Sequence, residues 1–468
     1  MKNRVNKWTI LMVILIGSFM TTLDINIVNV ALPKMSVSLS VGINSIQWVV
    51  TSYLIVVLSL VLVFGRMSDM IGKKKIYQNG FIVFSIGSLF CALSTNMILL
   101  IISRIVQGIG ASMMMSCNFG IITMCFAENV RGRAIGILGG VVAIGTMAGP
   151  PLGGFMISMF SWQSIFVINI PIGIVAYFLG VKLIPKEDKK VAKIYFDIKG
   201  AVLFATSIIT FIYALSSGET MGFNSPLIIY SLVLFFLSFS LFIIVENHVK
   251  APMVDFELFK NKLFSAGIFC AFISYTVIYF TNIIQPFYLQ HILNMPPQRA
   301  GLIMTVYPVT AAIVAPISGY LSDKMGYKFP SLIGLIATCL GIYSMSFLTV
   351  NSSYLGIMLP MCLLGSGYGM FQSPNSAAVM SSVSKDKVGI AGSMNSLTRN
   401  LGMTFGISVS TTLFYSLTRL KLGHAIIGTV TANSDIFIYA MRFVYIIGAI
   451  IAITGILVAC FRKPNEML

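Results

Sequence analysis

Acidic side chains are what this sequence has least of: 14 Asp and Glu in 468 residues, with charged residues of both signs at 10%. With 57% hydrophobic residues and a mean hydropathy of +0.92, that scarcity excludes an ordinary soluble enzyme, whose charged fraction is about 25%. Histidine is nearly absent; His248, His291 and His424 stand alone and build no metal site. The seven cysteines lie in apolar stretches without metal-ligand spacing, which excludes a disulfide framework and leaves them as small core residues. No soluble sensory segment occurs, and no carboxylates pair at hydrolytic spacing. Gly72-Lys73 lacks the upstream glycine and following Ser or Thr of a phosphate-binding loop, so ATP is not the fuel. No enzyme, cofactor, metal or nucleic-acid partner is expected.

Long apolar runs are what the sequence has instead. Roughly 20 apolar residues cross a bilayer as a helix. Fourteen such stretches occur, at 8–32, 44–65, 77–95, 97–125, 133–160, 163–184, 197–216, 225–246, 262–290, 298–322, 329–349, 353–380, 388–418 and 436–461. The fold class they predict is an all-α polytopic membrane protein. The net charge of +17 would suit nucleic acid, but its placement does not. With the N-terminus cytoplasmic, Lys34, Arg299, Arg419 and Lys421 face outward and Arg104, Arg399 and Arg442 lie within spans. Every other Lys or Arg falls at a cytoplasmic end or loop. This follows the positive-inside rule, puts both termini in the cytoplasm and supports an even number of spans. Clusters such as Lys73-Lys74-Lys75 then act as topology determinants. The first span is too long for a signal-peptide core and no small-residue cleavage site follows, so it is expected to remain as an anchor. Trp8, Trp48 and Trp162 fall at expected water interfaces.

One repeat is visible. Gly65-Arg-Met-Ser-Asp69-Met-Ile-Gly72-Lys73-Lys74 follows the second span, and Gly319-Tyr-Leu-Ser-Asp323-Lys-Met-Gly326-Tyr-Lys328 follows the tenth. The chain thus divides into a six-helix bundle at 1–185, charged linkers with two inserted helices at 186–261, and a second six-helix bundle at 262–468. Internal duplication of helical bundles marks transporters, with a substrate site expected between the halves near the midplane.

On these residues the chain resembles the major facilitator superfamily, in particular its fourteen-helix drug:proton antiporters. Leu23-Asp24-Ile-Asn-Ile-Val-Asn29-Val-Ala31-Leu-Pro33 is similar to that family's first-span signature. The 65–74 loop matches the superfamily's loop motif, with Lys73 where Arg is common. Arg104-Ile-Val-Gln107-Gly108-Ile-Gly110-Ala111 resembles the fourth-span motif, and Gly145-Thr-Met-Ala-Gly149-Pro150-Pro151-Leu-Gly153-Gly154 the antiporter motif of the fifth. Trp162 through Gly173 is similar to the start of the sixth span.

Asp24 lies within an apolar stretch, where an unpartnered carboxylate costs roughly 3 kcal/mol on insertion scales. Gly17, Thr21 and Asp24 share one side of its helix; Thr22, Asn26 and Asn29 share the opposite one. Lipid would not tolerate both, so this span is wrapped by protein or lines a cavity. Arg104 falls in the same outer layer, on a face with Gln107, Gly108 and Ala111. It either pairs with Asp24 or tunes that carboxylate through its field, or the two form a static structural pair. The resemblance implies a proton-coupling role for Asp24 and Arg104.

Candidate substrate-cavity residues are Asn26 and Gln107; Tyr275, Tyr279, Asn282 and Gln285 of the ninth span; Gln372 and Asn375 of the twelfth; and Asn395 and Arg399 of the thirteenth. Tyrosine rings with amides suit a semi-polar cavity for an aromatic ligand, although helix packing explains the ninth span equally well. The resemblance implies that Gly65, Asp69 and Gly72, with Lys73 and Asp323, latch the bundles on the cytoplasmic side. It also makes Gly149, Pro150, Gly153 and Gly154 the antiporter element, a seal against leakage; loop anchoring and a packing face are the simpler alternatives.

Together these residues point to proton-driven export of small amphipathic compounds by alternating access, as in multidrug efflux and drug resistance. Protons serve as coupling ion, with the lipid bilayer and a small-molecule substrate as partners, and the chain is expected to be a monomer in the plasma membrane. A dedicated metabolite exporter, or a proton-linked importer, is the alternative on the same scaffold. Apart from Asp24 no carboxylate lies at mid-membrane, which disfavours multivalent cations. The sequence gives the inserted helix pair no role.

Overall fold

A computed structural model describes residues 6–126, 128–185, 197–222, 224–249, 254, 256–383, 388–422 and 434–462. Among them the chain forms α-helices with short 3₁₀ and π turns and no strand. In hydrocarbon a backbone can satisfy its polar groups only internally, so continuous apolar runs become helices. In chain order these are α1 (Lys7–Ser38), α2 (Ile43–Ile46), α3 (Trp48–Ile71), α4 (Lys73–Ala92), α5 (Met97–Cys125), α6 (Glu128–Met159), α7 (Ser164–Val167) and α8 (Asn169–Leu183). They continue with α9 (Ile198–Met221), α10 (Pro226–His248), α11 (Lys262–Phe287), α12 (Pro297–Met304), α13 (Val306–Met325), α14 (Lys328–Met345), α15 (Tyr354–Ser381), α16 (Val388–Leu422) and α17 (Ser434–Cys460). Polar side chains start several of them: Asn6, Asn96, Asn261 and Ser353 each accept a bond from a first-turn N–H.

Twelve helical stretches among the described residues are long and apolar enough to cross a membrane. Of the fourteen spans expected, α4 and α16 fall outside that set. The first opens on Lys73-Lys74-Lys75 with Gln78 and Asn79 behind, and the second carries Asn395, Arg399, Asn400 and many Ser and Thr. Both run the length of their neighbours and are packed among them.

Six helices of each half pack in the same pattern. In the first, α4 lies on α5, α3 on α5, α1 on α6, α4 on α8 and α1 on α8; in the second, α14 lies on α15, α13 on α15, α11 on α16, α14 on α17 and α11 on α17. Small residues set these approaches, since apolar side chains gain little by leaving lipid for one another. A Cβ on Gly87 of α4 would fall 2.5 Å from the Gln107 nitrogen of α5, and one on Gly341 of α14 would fall 2.6 Å from the Leu364 nitrogen of α15.

For orientation, the end carrying Lys7, Lys73 and Lys328 is termed the basic end, and that carrying Ser38, Trp162 and Pro297 the far end. The halves meet at the far end. Gln290 Nε2 donates to the Val30 carbonyl at 3.0 Å, and a Cβ on Gly154 of α6 would lie 2.5 Å from the Pro297 carbonyl of α12. Ile43 of α2 lines a pocket with Ile283, Phe287 and Phe414 of the second half. Trp162, expected at a water interface, is buried here and donates to Ser38 at 3.2 Å. At the basic end, Lys74 Nζ donates to the Val181 and Ile184 carbonyls at 2.8 and 2.5 Å, capping the C-terminus of α8 with a cation.

The inserted pair is asymmetric. Helix α9 packs on α3 of one half and α16 of the other. Ser216 meets Ser408 at 2.9 Å, Thr412 donates to the Leu215 carbonyl at 2.7 Å, and the Trp48 and Tyr213 rings stand 6.2 Å apart. Helix α10 packs on α9 through rings such as Phe211 and Phe235, centroids 4.6 Å apart, and turns Phe236, Tyr230 and Val233 outward. An apolar face of this kind requires lipid. Thus α9 fills the seam between the halves and α10 covers it.

The repeated loops are tight junctions between helices, each closing on a glycine in the positive-φ region: 102° at Gly72 and 77° at Gly326. Gly65 lies within α3, where an added Cβ would meet only Ser116 at 4.0 Å. The side chains of Asp69 and Asp323 lie outside the described set. Gly72→Ala is expected to destabilise the protein by about 1–3 kcal/mol, whereas Gly65→Ala retains or gains stability through helix propensity. Thermal unfolding in detergent compares the two, and equal losses would refute the assignment.

Candidate functional site

The carboxylate of Asp24 is fully buried inside the first half and holds three side-chain donors. Arg104 Nη1 donates to Oδ2 at 2.5 Å; Gln107 Nε2 and Asn169 Nδ2 donate to Oδ1 at 2.8 and 2.9 Å. The ligands come from α5 and α8, so one carboxylate ties three helices together. Arg104 is itself fully buried. Its Nε donates to the Val49 carbonyl at 2.8 Å, its Nη1 also to Gln107 Oε1 at 2.6 Å, and its guanidinium carbon lies 4.2 Å from the Tyr53 ring centroid and 5.8 Å from that of Phe166. Gln107 further donates to Ser88 at 2.8 Å, and the Cys91 thiol faces Gln107 Oε1 at 3.7 Å. Of the readings open for Arg104, the structure adopts the pair. Three donors from two helices thus converge on one buried carboxylate, and Arg104, Gln107 and Asn169 all address the same charge.

Asn26 is not part of this centre. Its Nδ2 bonds the Thr22 carbonyl of its own helix at 2.7 Å, and its Cβ abuts Gly149 of α6. Asn29 is buried on the same side, and neither polar atom of its side chain has a hydrogen-bond partner. Gly149 and Gly153 seat α6 on α1, while Gly154 and the Pro150 carbonyl meet Pro297 and Gly301 of α12. The antiporter-like run therefore has two faces, one within its half and one across the far end. The stem of Lys73 lies over Gly120 of α5.

In the second half, tyrosines gather around α11. The Tyr368 hydroxyl donates to the Tyr275 hydroxyl at 3.2 Å, and the Tyr368 ring centroid lies 5.8 Å from that of Tyr275 and 6.0 Å from that of Tyr307. Tyr275 also meets Gln372, and the Arg399 charge acts on Tyr275, Tyr279 and Tyr368. Gly402 and Gly406 seat α16 closely on α11: a Cβ added at each would fall 2.8 Å from Tyr275 Cβ and 3.1 Å from Tyr279 Cβ. Asn395, a turn below Arg399, reaches Ser376 at 3.5 Å, and Asn282 is half-buried one turn above Tyr279.

Two expected cavity residues are engaged elsewhere. Gln285 accepts from Tyr445 of α17 at 3.1 Å inside the half. Asn375 donates to the Gly267 carbonyl at 3.1 Å and accepts from Arg462 at 2.8 Å near the basic end. Burial lowers the pKa of Arg462, opposed by Cys270 and Tyr327. Sequence reasoning missed Asn169, Ser88 and Tyr53 in the first half and Tyr307 and Tyr368 in the second. Asn169 had a usable signal, as an amide within the apolar run from Trp162 to Gly173.

A profile of the Major Facilitator Superfamily matches residues 14–251 and 267–467. The riboflavin transporter RibZ of Clostridioides difficile is 35% identical over 99% of both chains. Multidrug resistance protein 3 of Bacillus subtilis is 31% identical over 89% of this chain and 81% of its own. Among solved structures, a bacterial homolog of the human lysosomal transporter Spinster, in an inward-facing and occupied conformation, superposes with a TM-score of 0.67. It is 14% identical over 96% of this chain and 95% of that one, a likeness of fold.

Removing one member of a buried ion pair strands the other, at a cost of about 3–5 kcal/mol. Arg104→Gln is expected to lose stability on that scale, and Asp24→Asn combined with Arg104→Gln to recover much of it. Thermal unfolding of both single variants and the double variant gives the coupling energy; additive losses would show that the pair contributes nothing jointly.

Proposed function

The chain belongs to the Major Facilitator Superfamily and is a multi-pass membrane transporter, not an enzyme; within that family we propose that it is a proton-coupled efflux antiporter. In this reading fourteen helices cross the plasma membrane, both termini and the basic end face the cytoplasm, and small amphipathic compounds are exported. The observation that carries it is the enclosed Asp24–Arg104–Gln107–Asn169 centre. A titratable group held at that depth by several helices is suited to linking a proton to helix movement.

Asp24 takes up a proton when the path opens outward and releases it inward. Protonation weakens the hold of Arg104 and Asn169, and with it the tie between α1, α5 and α8. The bundles at 1–185 and 262–468 rock about the centre. Gly149, Pro150, Gly153 and Gly154 close the outer side, in keeping with their contacts to α1 and α12, and the loops bearing Gly65, Asp69, Gly72, Lys73 and Asp323 latch the inner side. With a potential of about −150 mV, one entering proton supplies about 3.5 kcal/mol. That sustains roughly a several-hundred-fold gradient of a neutral solute.

The similarity to a riboflavin transporter along the full length favours a second reading, a dedicated metabolite transporter on the same scaffold. A pH-gradient assay in inverted vesicles addresses the coupling common to both. Asp24→Asn is expected to abolish gradient-driven transport while leaving substrate exchange without a gradient, and retained coupled transport would remove Asp24 from the proton path. A growth-inhibition panel on deletion and overexpression strains separates the readings: sensitivity to many compounds supports efflux, and a drug-independent growth defect supports a metabolite.

A further inference from the structure

Among the described residues the second half carries a fixed positive charge without a counter-charge beside it. Across α11, α14, α15 and α16 there is no Asp or Glu; the acids that flank these helices in sequence are Glu257 before α11, Asp323 near the end of α13, Asp386 before α16 and Asp435 in the first turn of α17. The one acid at mid-membrane, Asp24, is bonded to Arg104 in the other half. Arg399 therefore stands within electrostatic reach of Tyr275, Tyr279 and Tyr368, with no carboxylate paired to it among the described residues. A guanidinium has five N–H donors and no acceptor, and a phenol has one O–H to give. The Tyr368 O–H is spent on Tyr275, whereas the half-buried Tyr307 hydroxyl has no hydrogen bond among the described residues and remains to be accepted by a partner. The cluster as a whole has more donors than acceptors.

Its accessibility differs by residue in a way that suits a binding wall. Tyr275 and Tyr279 are buried, whereas Tyr307, Tyr368, Gln372 and Arg399 are half-buried. The second set thus forms the partly accessible side of the cluster and the first its backing. Three rings in contact around Tyr368, at interplanar angles of 66° and 41°, present both faces and edges to a planar guest.

We propose that Arg399, Tyr307, Tyr368 and Gln372, backed by Tyr275, form the substrate-recognition wall, and that it selects planar aromatic molecules carrying carbonyl or carboxylate acceptors on one edge, neutral or singly anionic, over aromatic cations. The rings hold the plane of the guest, and Arg399 with the Tyr307 hydroxyl holds its acceptor edge. A cationic guest meets the unpaired guanidinium and leaves its donors unused. This rests on the reading of the chain as a small-molecule transporter and adds the chemistry of what it carries.

The test is equilibrium binding to the purified full chain in nanodiscs, without a gradient, using three tricyclic probes of similar size: neutral acridone, anionic anthraquinone-2-carboxylate and cationic proflavine. The first two are expected to bind at least tenfold more tightly than proflavine. Arg399→Gln should weaken the carboxylate probe at least tenfold and narrow or reverse its advantage over proflavine. Arg399→Lys should keep the order of the charged probes, and Tyr307→Phe should weaken acridone several-fold. Proflavine binding as tightly as the others in the unaltered protein, absence of binding by all three, or an unchanged carboxylate affinity in Arg399→Gln would each overturn the proposal. Should Arg399→Gln not fold, the probe order in the unaltered protein decides. Because binding needs no proton, a failure of coupling in Asp24→Asn with the order intact would count against the coupling reading alone.

Discussion

Two opposite charges, 2.5 Å apart and wholly removed from water, govern the first half of this protein. Neither could stay ionised alone at that depth without a penalty of several kcal/mol. Their mutual attraction offsets it only because the remaining valences are filled: Gln107 and Asn169 on the carboxylate, the Val49 carbonyl and two aromatic faces on the guanidinium. Those partners come from α3, α5, α7 and α8. The pair therefore constrains where α1, α5 and α8 stand relative to one another, and a change in its charge is felt by all three.

The two halves share a packing pattern but not an electrostatic one. Glycines seat α6 on α1 and α16 on α11 in parallel fashion, and the glycines of α4 and α14 do the same for α5 and α15. Within that common frame the first half encloses a compensated ion pair, while the second places Arg399 near tyrosines with no carboxylate paired to it among the described residues. A common packing frame thus holds a buried ion pair on one side and a cluster of tyrosines on the other. Small residues at the far end, Gly154 against Pro297 and Gly301 against Pro150, let the halves touch backbone to backbone. Such a contact is geometrically strict, because a side chain larger than hydrogen at either glycine would hold the two backbones apart.

The inserted helices illustrate how a membrane protein accommodates an addition. Helix α9 enters the seam between α3 and α16 with serine and threonine contacts, and α10 shields it with phenylalanines that face outward. Composition alone gave this pair no role, because both its helices read as apolar spans. Only their neighbours distinguish the one that bridges from the one that covers.

Much was legible in the sequence because the bilayer imposes simple rules on it. Run length and hydropathy identified the helices, the paired loops ending in Gly72 and Gly326 exposed the duplication, and the isolation of Asp24 among apolar residues marked it as requiring a partner. Helical periodicity placed Arg104 and Gln107 on one face. Periodicity, however, says which residues share a face and not what that face meets. Gln285 and Asn375 looked like cavity residues and are bonded inside their half, whereas Asn169, Tyr307 and Tyr368 came to the sites from helices distant in sequence. Those pairings depend on how helices pack across tens to hundreds of intervening residues, which local pattern does not encode and tertiary structure alone decides.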